Sequence, residues 1–343
     1  MSLCLIGSDG TTFTSLQRSL NLSNYTKSQI LNLNKQTLKS LNIQNEKNIS
    51  LSTANRIYIS HNFNITKKFS TLAKQYFESD VLNLNTNNPV ESSMSINQWV
   101  SNKTHHKINN IINPNVISSE TSLILLNAIY FKGIWKFKFD KSITKKENFY
   151  LSNGKVEKID MMHLNKKFKF IYMPGGLKAD LIELAYSSDK ISMVILLPHE
   201  NNSLENIQKE INLNILNQIL KKDKNFEQVN LKIPRFKLEF KRDLENFFKS
   251  QTEAKAFSKS EANFSGISTN SKGLFISDVI HQAVVEVNEE GTEAAATTAI
   301  IIQKSIAPSQ QQVFNFVCNR PFLFYIYDKM TNTILFSGKY SKP

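Results

Sequence analysis

Residues 286–303 read Glu-Val-Asn-Glu-Glu-Gly-Thr-Glu-Ala-Ala-Ala-Thr-Thr-Ala-Ile-Ile-Ile-Gln, and Lys304, Ser305 and Ile306 follow. What this stretch can do is set by its backbone and by the size of its side chains. Drawn out as a strand, it alternates its side chains between two faces. One face then carries Thr292, Ala294, Ala296, Thr298, Ile300 and Ile302. That face has no charge, and its first four members are small enough to enter a packed sheet without overpacking it. The other face carries Glu293, Ala295, Thr297, Ala299, Ile301 and Gln303. About 14 residues in this form would span roughly 46 Å. An exposed helix is the alternative, because Glu and three consecutive Ala favour helix.

Nothing else in the chain has the spacing of a reactive centre. Gly-x-Ser-x-Gly, His-Glu-x-x-His, Cys-x-x-Cys and the phosphate-binding loop are all missing, and no cofactor or metal is implied. His105 and His106 are immediate neighbours. On a helix they would point in different directions, which argues against a metal pair and for surface residues.

The elements that must position this segment come from the rest of the 343 residues. With 41% hydrophobic residues and no Pro/Gly/Ser-rich linker or repeat, the chain reads as one large domain, 1–343. Helical periodicity marks 12–20, 27–41, 65–77, 91–112, 203–208, 212–221 and 243–249. Strand patterning marks 49–60, 81–85, 167–173, 179–185, 191–197, 229–240, 274–278, 280–288, 322–328 and 333–340. The apolar run 121–134 suits a strand buried on both faces and is too short for a membrane span. The balance predicts an α+β fold with large, mostly antiparallel sheets.

The net charge of +13 favours acidic partners such as a glycosaminoglycan, and no nucleic-acid motif accompanies it. Cys4 and Cys318 are too few to form a disulfide framework. Glycosylation sequons occur at Asn21, Asn24, Asn48, Asn64, Asn102, Asn201 and Asn263 and fit a secreted glycoprotein. The first ten residues lack the basic and apolar regions of a signal peptide.

An ordered set of motifs resembles the serpins, a family of serine protease inhibitors. It runs through Asn127-Ala128-Ile129-Tyr130-Phe131-Lys132-Gly133-Ile134-Trp135, Phe137-Lys138-Phe139-Asp140 and Ile191–Pro198. Ile233-Pro234-Arg235-Phe236, Arg242-Asp243-Leu244, Ala256-Phe257 and Phe264-Ser265-Gly266-Ile267 come next. His281-Gln282-Ala283, Asn319–Phe324 and Leu335–Lys339 close the set. The resemblance makes 286–303 a hinge and reactive loop (about 289–313), with Glu289, Glu290, Gly291, Thr292, Glu293, Ala294, Ala295, Ala296, Thr297 and Thr298 in the hinge. It implies a monomeric, extracellular, non-enzymatic inhibitor that touches neither membrane nor nucleic acid, the alternative being a non-inhibitory or inactive member that serves as a binding or carrier protein or is a truncated remnant.

Further roles follow from the resemblance. Asn127 and His281 match a polar "shutter" pair beneath the sheet, and Trp135 matches the "breach" where insertion begins. Glu289 matches the hinge acid, and Arg235 its basic partner in an ion pair. Lys27, Lys35 and Lys39 fall where some members bind heparin. Family spacing places the scissile bond at Ser305–Ile306. The acidic specificity pocket of a trypsin-like protease favours Lys304–Ser305, which is the bond expected here. The family's first helix, first strand and most of its second helix precede the segment matching Leu3–Gly7. Their absence predicts that Asn127 and His281 lose partners, at about 1–3 kcal/mol per unsatisfied group.

Overall fold

The computed structural model describes residues 1–40, 49–172, 176–221, 226–251, 254–290 and 312–343. The helices are α1 (Ser2–Gly7), α2 (Gly10–Ser19), α3 (Lys27–Ser40), α4 (Lys67–Phe77), α5 (Pro89–Lys103), α6 (Leu204–Glu210), α7 (Leu213–Lys221) and α8 (Glu245–Gln251). The strands are β1 (Ile49–Ser60), β2 (Asp80–Leu84), β3 (Leu123–Gly133), β4 (Lys145–Tyr150), β5 (Val156–Tyr172), β6 (Ala179–Ala185) and β7 (Ile191–Pro198). They continue with β8 (Phe226–Pro234), β9 (Phe236–Asp243), β10 (Ile276–Val287), β11 (Val313–Val317), β12 (Phe322–Asp328) and β13 (Thr333–Tyr340). Among the described residues no helix is long and apolar enough to cross a membrane.

Two compact units emerge. The first comprises Met1–Asn45, Ser50–Phe131 and Leu238–Val285. Its five-stranded sheet has the order β2-β1-β3-β10-β9. β3 explains why the sequence there is almost wholly apolar. Leu123 and Leu125 enter a cluster with Leu5, Leu16, Phe69 and Phe264. Ile124, Leu126, Ala128 and Tyr130 enter a second cluster with Ile96, Val100 and Val284. Alternate side chains of one strand thus feed two separate apolar clusters, which accounts for the apolar run Leu123–Leu126 ahead of the polar Asn127. Thr66 caps α4 by accepting from the Phe69 amide at 3.2 Å, and Asn88 caps α5 with Pro89 in its first turn.

The second unit comprises Glu46–Ile49, Lys132–Lys237 and Glu286–Pro343. Its eight-stranded sheet has the order β11-β8-β5-β6-β7-β12-β13, with β4 paired to β5. Every residue of β7 is buried. The helices α6 and α7 contribute Leu204, Ile207, Leu216 and Ile219 to a core shared with Leu181, Val194, Leu196 and Leu323.

Several sequence expectations change. The helix expected over 91–112 ends at Lys103, and His105 and His106 follow it with φ of +49° and +60°. Both are exposed, and the His106 ring lies 2.9 Å from the Ser101 hydroxyl. The strand expected over 229–240 is two strands broken at Arg235, whereas 274–278 and 280–288 merge into β10. β4 and the first half of β5 carry so many Lys and Glu that their alternation is diluted. The short helix α1 is buried along Leu3–Gly7, so it shows no amphipathic period. Antiparallel pairs dominate the second unit, while the first contains two parallel pairs, β1 with β2 and β3 with β10.

Near the start of β10, Asp278 faces Asp243 and Glu245, with Lys249 as the opposing charge among the described residues. Burial, and after it those two carboxylates, push the Asp278 carboxyl up to about 6 from 3.8. Its folded value lies above its unfolded one. The resulting stability is present at low pH and is lost as pH rises through about 6. Asp278 is only partly buried, so solvent screening cuts the effect to about 1–2 kcal/mol. Asp278→Asn should therefore raise the thermal midpoint at pH 7.5 by about 2–6 °C. The gain should shrink towards zero at pH 4.5, and an equal gain at both pH values would contradict this account.

Candidate functional site

At the top of β3 the chain turns sharply. A Cβ on Gly133 would meet the Tyr186 ring at 2.6 Å, so only glycine lets the two pack this closely. Two residues later Trp135 forms a β-bridge with Tyr186. Its indole stacks on that ring with centroids 4.4 Å apart, while Phe139 meets it edge-on at 6.2 Å. The indole Nε1–H donates to the Asn288 carbonyl at 2.8 Å. The Phe139 amide donates to the Glu289 carbonyl at 2.9 Å. The segment 135–139 therefore pegs Asn288 and Glu289, the latter being the first residue of the expected hinge.

Glu289 carries its charge inward, with its side chain only 2% exposed. Its Oε1 accepts from the Thr144 hydroxyl at 2.9 Å and lies 3.7 Å from Arg235 Nη1. The guanidinium is 48% exposed and aims its other nitrogen, Nη2, at Asp160. Asp160 also takes Lys146 at 3.1 Å; Lys146 first, then Arg235, holds its carboxyl below the usual range. Arg235 is thus shared between two acids, and its closer contact is with Asp160. Glu290 instead points outward to Lys141 at 2.6 Å. A buried carboxylate needs its partners, and removing them leaves a penalty of about 1–3 kcal/mol or more.

A second constellation lies in the five-stranded sheet. His281 of β10 pairs in register with Asn127 of β3, so their side chains sit side by side. His281 Nδ1 lies 2.6 Å from Asn127 Oδ1, and Asn127 Nδ2 donates to Asn55 Oδ1. Since the Asn127 oxygen is the acceptor, the imidazole must carry its proton on Nδ1. Burial pushes the His281 pKa below its ordinary value, which favours that neutral form. The expected loss of partners therefore does not hold for Asn127, whose amide is satisfied at both ends. One residue further along β10, Gln282 donates to Glu239 of β9 at 2.5 Å.

Gly291, Thr292, Glu293, Ala294, Ala295, Ala296, Thr297, Thr298, Lys304, Ser305 and Ile306 lie outside the described residues. The three lysines of the candidate polyanion site do not act as one exposed set. Lys27 binds Asp9 at 2.7 Å and the Ser8 carbonyl at 2.6 Å, and Lys35 lies over the Tyr76 ring. Lys39 is exposed. Four contributors escape the sequence reading: Asn55, Thr144, Asp160 and Tyr186. Asn55 has a signal, being a polar amide inside the strand-like run 49–60. The other three have none, because only folding brings them to the neighbourhood of Glu289.

A family model described as serpin (serine protease inhibitor) matches residues 1–343. An uncharacterised serpin-like protein of Methanosarcina mazei is 33% identical over 100% of this chain and 79% of its own length. Human leukocyte elastase inhibitor is 33% identical over 100% of this chain and 90% of its own. The structure of native protease nexin-1 with heparin superposes with a TM-score of 0.85 at 29% identity, covering 100% of this chain and 89% of that one. The buried hinge acid, the Trp135 peg and the Asn127–His281 pair occupy the motifs that first suggested this family. The chain belongs to the serpins.

Proposed function

We propose that this protein inhibits a trypsin-like serine protease by offering Lys304–Ser305 for cleavage and inserting the cleaved segment between β3 and β10. The observation that carries this reading is the parallel pairing of those strands, from Ile276 opposite Leu123 to Val285 opposite Phe131. A segment that follows β10 and folds back beside it runs antiparallel to β10. It is then antiparallel to β3 as well, so two antiparallel ladders replace one parallel ladder. The uncharged face of Thr292, Ala294, Ala296 and Thr298 has the size to enter a filled sheet.

The chemistry belongs to the target. Its serine oxygen attacks the Lys304 carbonyl carbon, and the Lys304–Ser305 bond breaks. Ser305 departs as an amine carrying the proton supplied by the protease histidine, and Lys304 remains as an ester on the protease. Insertion then drags that ester along the sheet and distorts the protease before water can release it. The family's description as serine protease inhibitors supports the general activity. The relative named leukocyte elastase inhibitor supports keeping Ser305–Ile306 as the alternative bond. The net charge of +13 and the heparin in the nexin-1 structure support a glycosaminoglycan as a second partner. Exposed sequons at Asn21, Asn24, Asn64, Asn102, Asn201 and Asn263 fit an extracellular site of action.

Mixing the protein with trypsin and running denaturing electrophoresis tests the central reaction. A covalent complex of summed mass is expected, and Lys304→Ala should slow its formation at least about 100-fold, as loss of a charged specificity contact does. Cleavage with no complex would mark the chain as a substrate and sink the inhibitory reading. A complex undiminished by Lys304→Ala would remove Lys304 from the bond, and reaction with a protease whose specificity pocket takes small residues would then test Ser305–Ile306.

Charge reversal at Glu289 tests the hinge. Glu289→Lys places an ammonium in a nearly closed site beside Arg235 and strips Thr144 of its acceptor. The local cost of about 3–5 kcal/mol should free the hinge. Native gels after mild heating should then show polymers forming at least ten times faster than in the parent. An unchanged rate would remove Glu289 from the lock.

A further inference from the structure

Beside Trp135, within the second unit, lies a cavity of about 320 Å³ that the inhibitory mechanism does not use. This volume is at the small end of the range for small-molecule sites. Trp135 and Phe168 form buried parts of its wall. Phe137 packs edge-on against Phe168 at 6.3 Å and is itself 41% exposed. Phe226, which also lines the cavity, is 60% exposed. Large rings left in water around a concave, partly apolar space favour an apolar occupant.

The polar part of the lining is unbalanced in charge. Lys136, Lys167, Lys169 and Lys329 line the space, against only Glu183 and Asp189. Lys136 binds Asp189 at 2.8 Å. The buried Glu183 accepts a hydrogen bond from Ser192 at 3.0 Å, and its Oε1 lies 4.0 Å from Lys169 and 3.9 Å from Lys329. One carboxylate therefore serves two ammonium groups at long range. Lys167 is exposed and makes no ion pair among the described residues. Burial, partly offset by Glu183, pushes the Lys329 pKa below its ordinary value, as happens when a cation is desolvated without full compensation.

The geometry points to a binding site for an anionic amphiphile, an alkyl or aryl body bearing a single carboxylate or sulfonate. The body lies against Trp135, Phe168 and Phe226, and the anion is shared by Lys167, Lys169 and Lys329. Hydrophobic surface without charge would take any apolar molecule. The lysine surplus selects for the anion, and Glu183 and Asp189 oppose a ligand with two negative heads. This inference is independent of loop insertion, because binding requires neither cleavage nor a protease.

Fluorescence titration of the intact protein with 1-anilinonaphthalene-8-sulfonate tests the assignment. A single saturable site is expected, together with displacement of the probe by decanoate. Lys167→Glu combined with Lys169→Glu should weaken binding at least about fivefold, since each reversal replaces an attraction with a repulsion close to the anion. Lys67→Glu combined with Lys68→Glu, on helix α4 of the first unit and outside the cavity lining, makes the same change in net charge and should leave the affinity unaltered. N-phenyl-1-naphthylamine, which lacks the sulfonate, should bind at least fivefold more weakly. Thermal unfolding of both double variants verifies that each is folded before titration. The assignment is overturned if the two double variants bind alike, if the neutral analogue matches the sulfonate, or if no saturable site is found.

Discussion

β3 and β10 lie side by side and run in the same direction, and this seam limits what the chain beyond β10 can do. Parallel neighbours cannot be joined by a tight turn, so each enters the sheet from a different part of the sequence. A reversed strand at the seam would be antiparallel to β10 and to β3 alike, with backbone partners on both sides. Under the proposed insertion the existing ladder must break first, and the barrier would consist of the hydrogen bonds and side-chain contacts that span the seam or tether Asn288 and Glu289.

Those contacts form two separate groups. Along the seam, Asn127 joins the His281 imidazole to Asn55, tying β10, β3 and β1 by side chains as well as backbone. All three groups are neutral in this arrangement, so separating them exposes amides and an imidazole but strands no charge. At the end of β10 the contact to Asn288 is aromatic and the contact to Glu289 is ionic. Trp135 holds the Asn288 carbonyl, while Glu289 is buried among Thr144, Phe139 and Arg235. Arg235 binds Asp160 more closely than Glu289, so release of the hinge leaves the guanidinium paired. That sharing lowers the cost of unlocking relative to a hinge acid paired to a dedicated arginine, whose release would strand both charges.

The sequence made the fold legible where burial on both sides imposed an apolar run, as in β3 and β7, and where alternation was clean, as in β1. It was misleading where charge diluted the alternation, as in Lys145–Tyr150 and the first half of β5. It also failed where the whole of a short helix is buried, as in α1. Glu289 and the polar pair stood out because their residue types are unusual for their surroundings: an acid before a small-residue run, and a histidine and an asparagine within strands. Thr144, Asp160 and Tyr186 could not be found this way. Their roles arise from chain segments brought together by folding, and a threonine, an aspartate and a tyrosine at those positions are ordinary in sequence.

The central claim is that the seam opens to admit the segment that follows β10. Its most direct test is the thermal midpoint of protein cleaved once at Lys304–Ser305, compared with that of the intact chain. Insertion adds a strand with two ladders to the five-stranded sheet, and the cleaved protein should unfold more than about 10 °C higher. An unchanged or lower midpoint in the singly cleaved protein would show that the segment stays outside the sheet and would contradict the account.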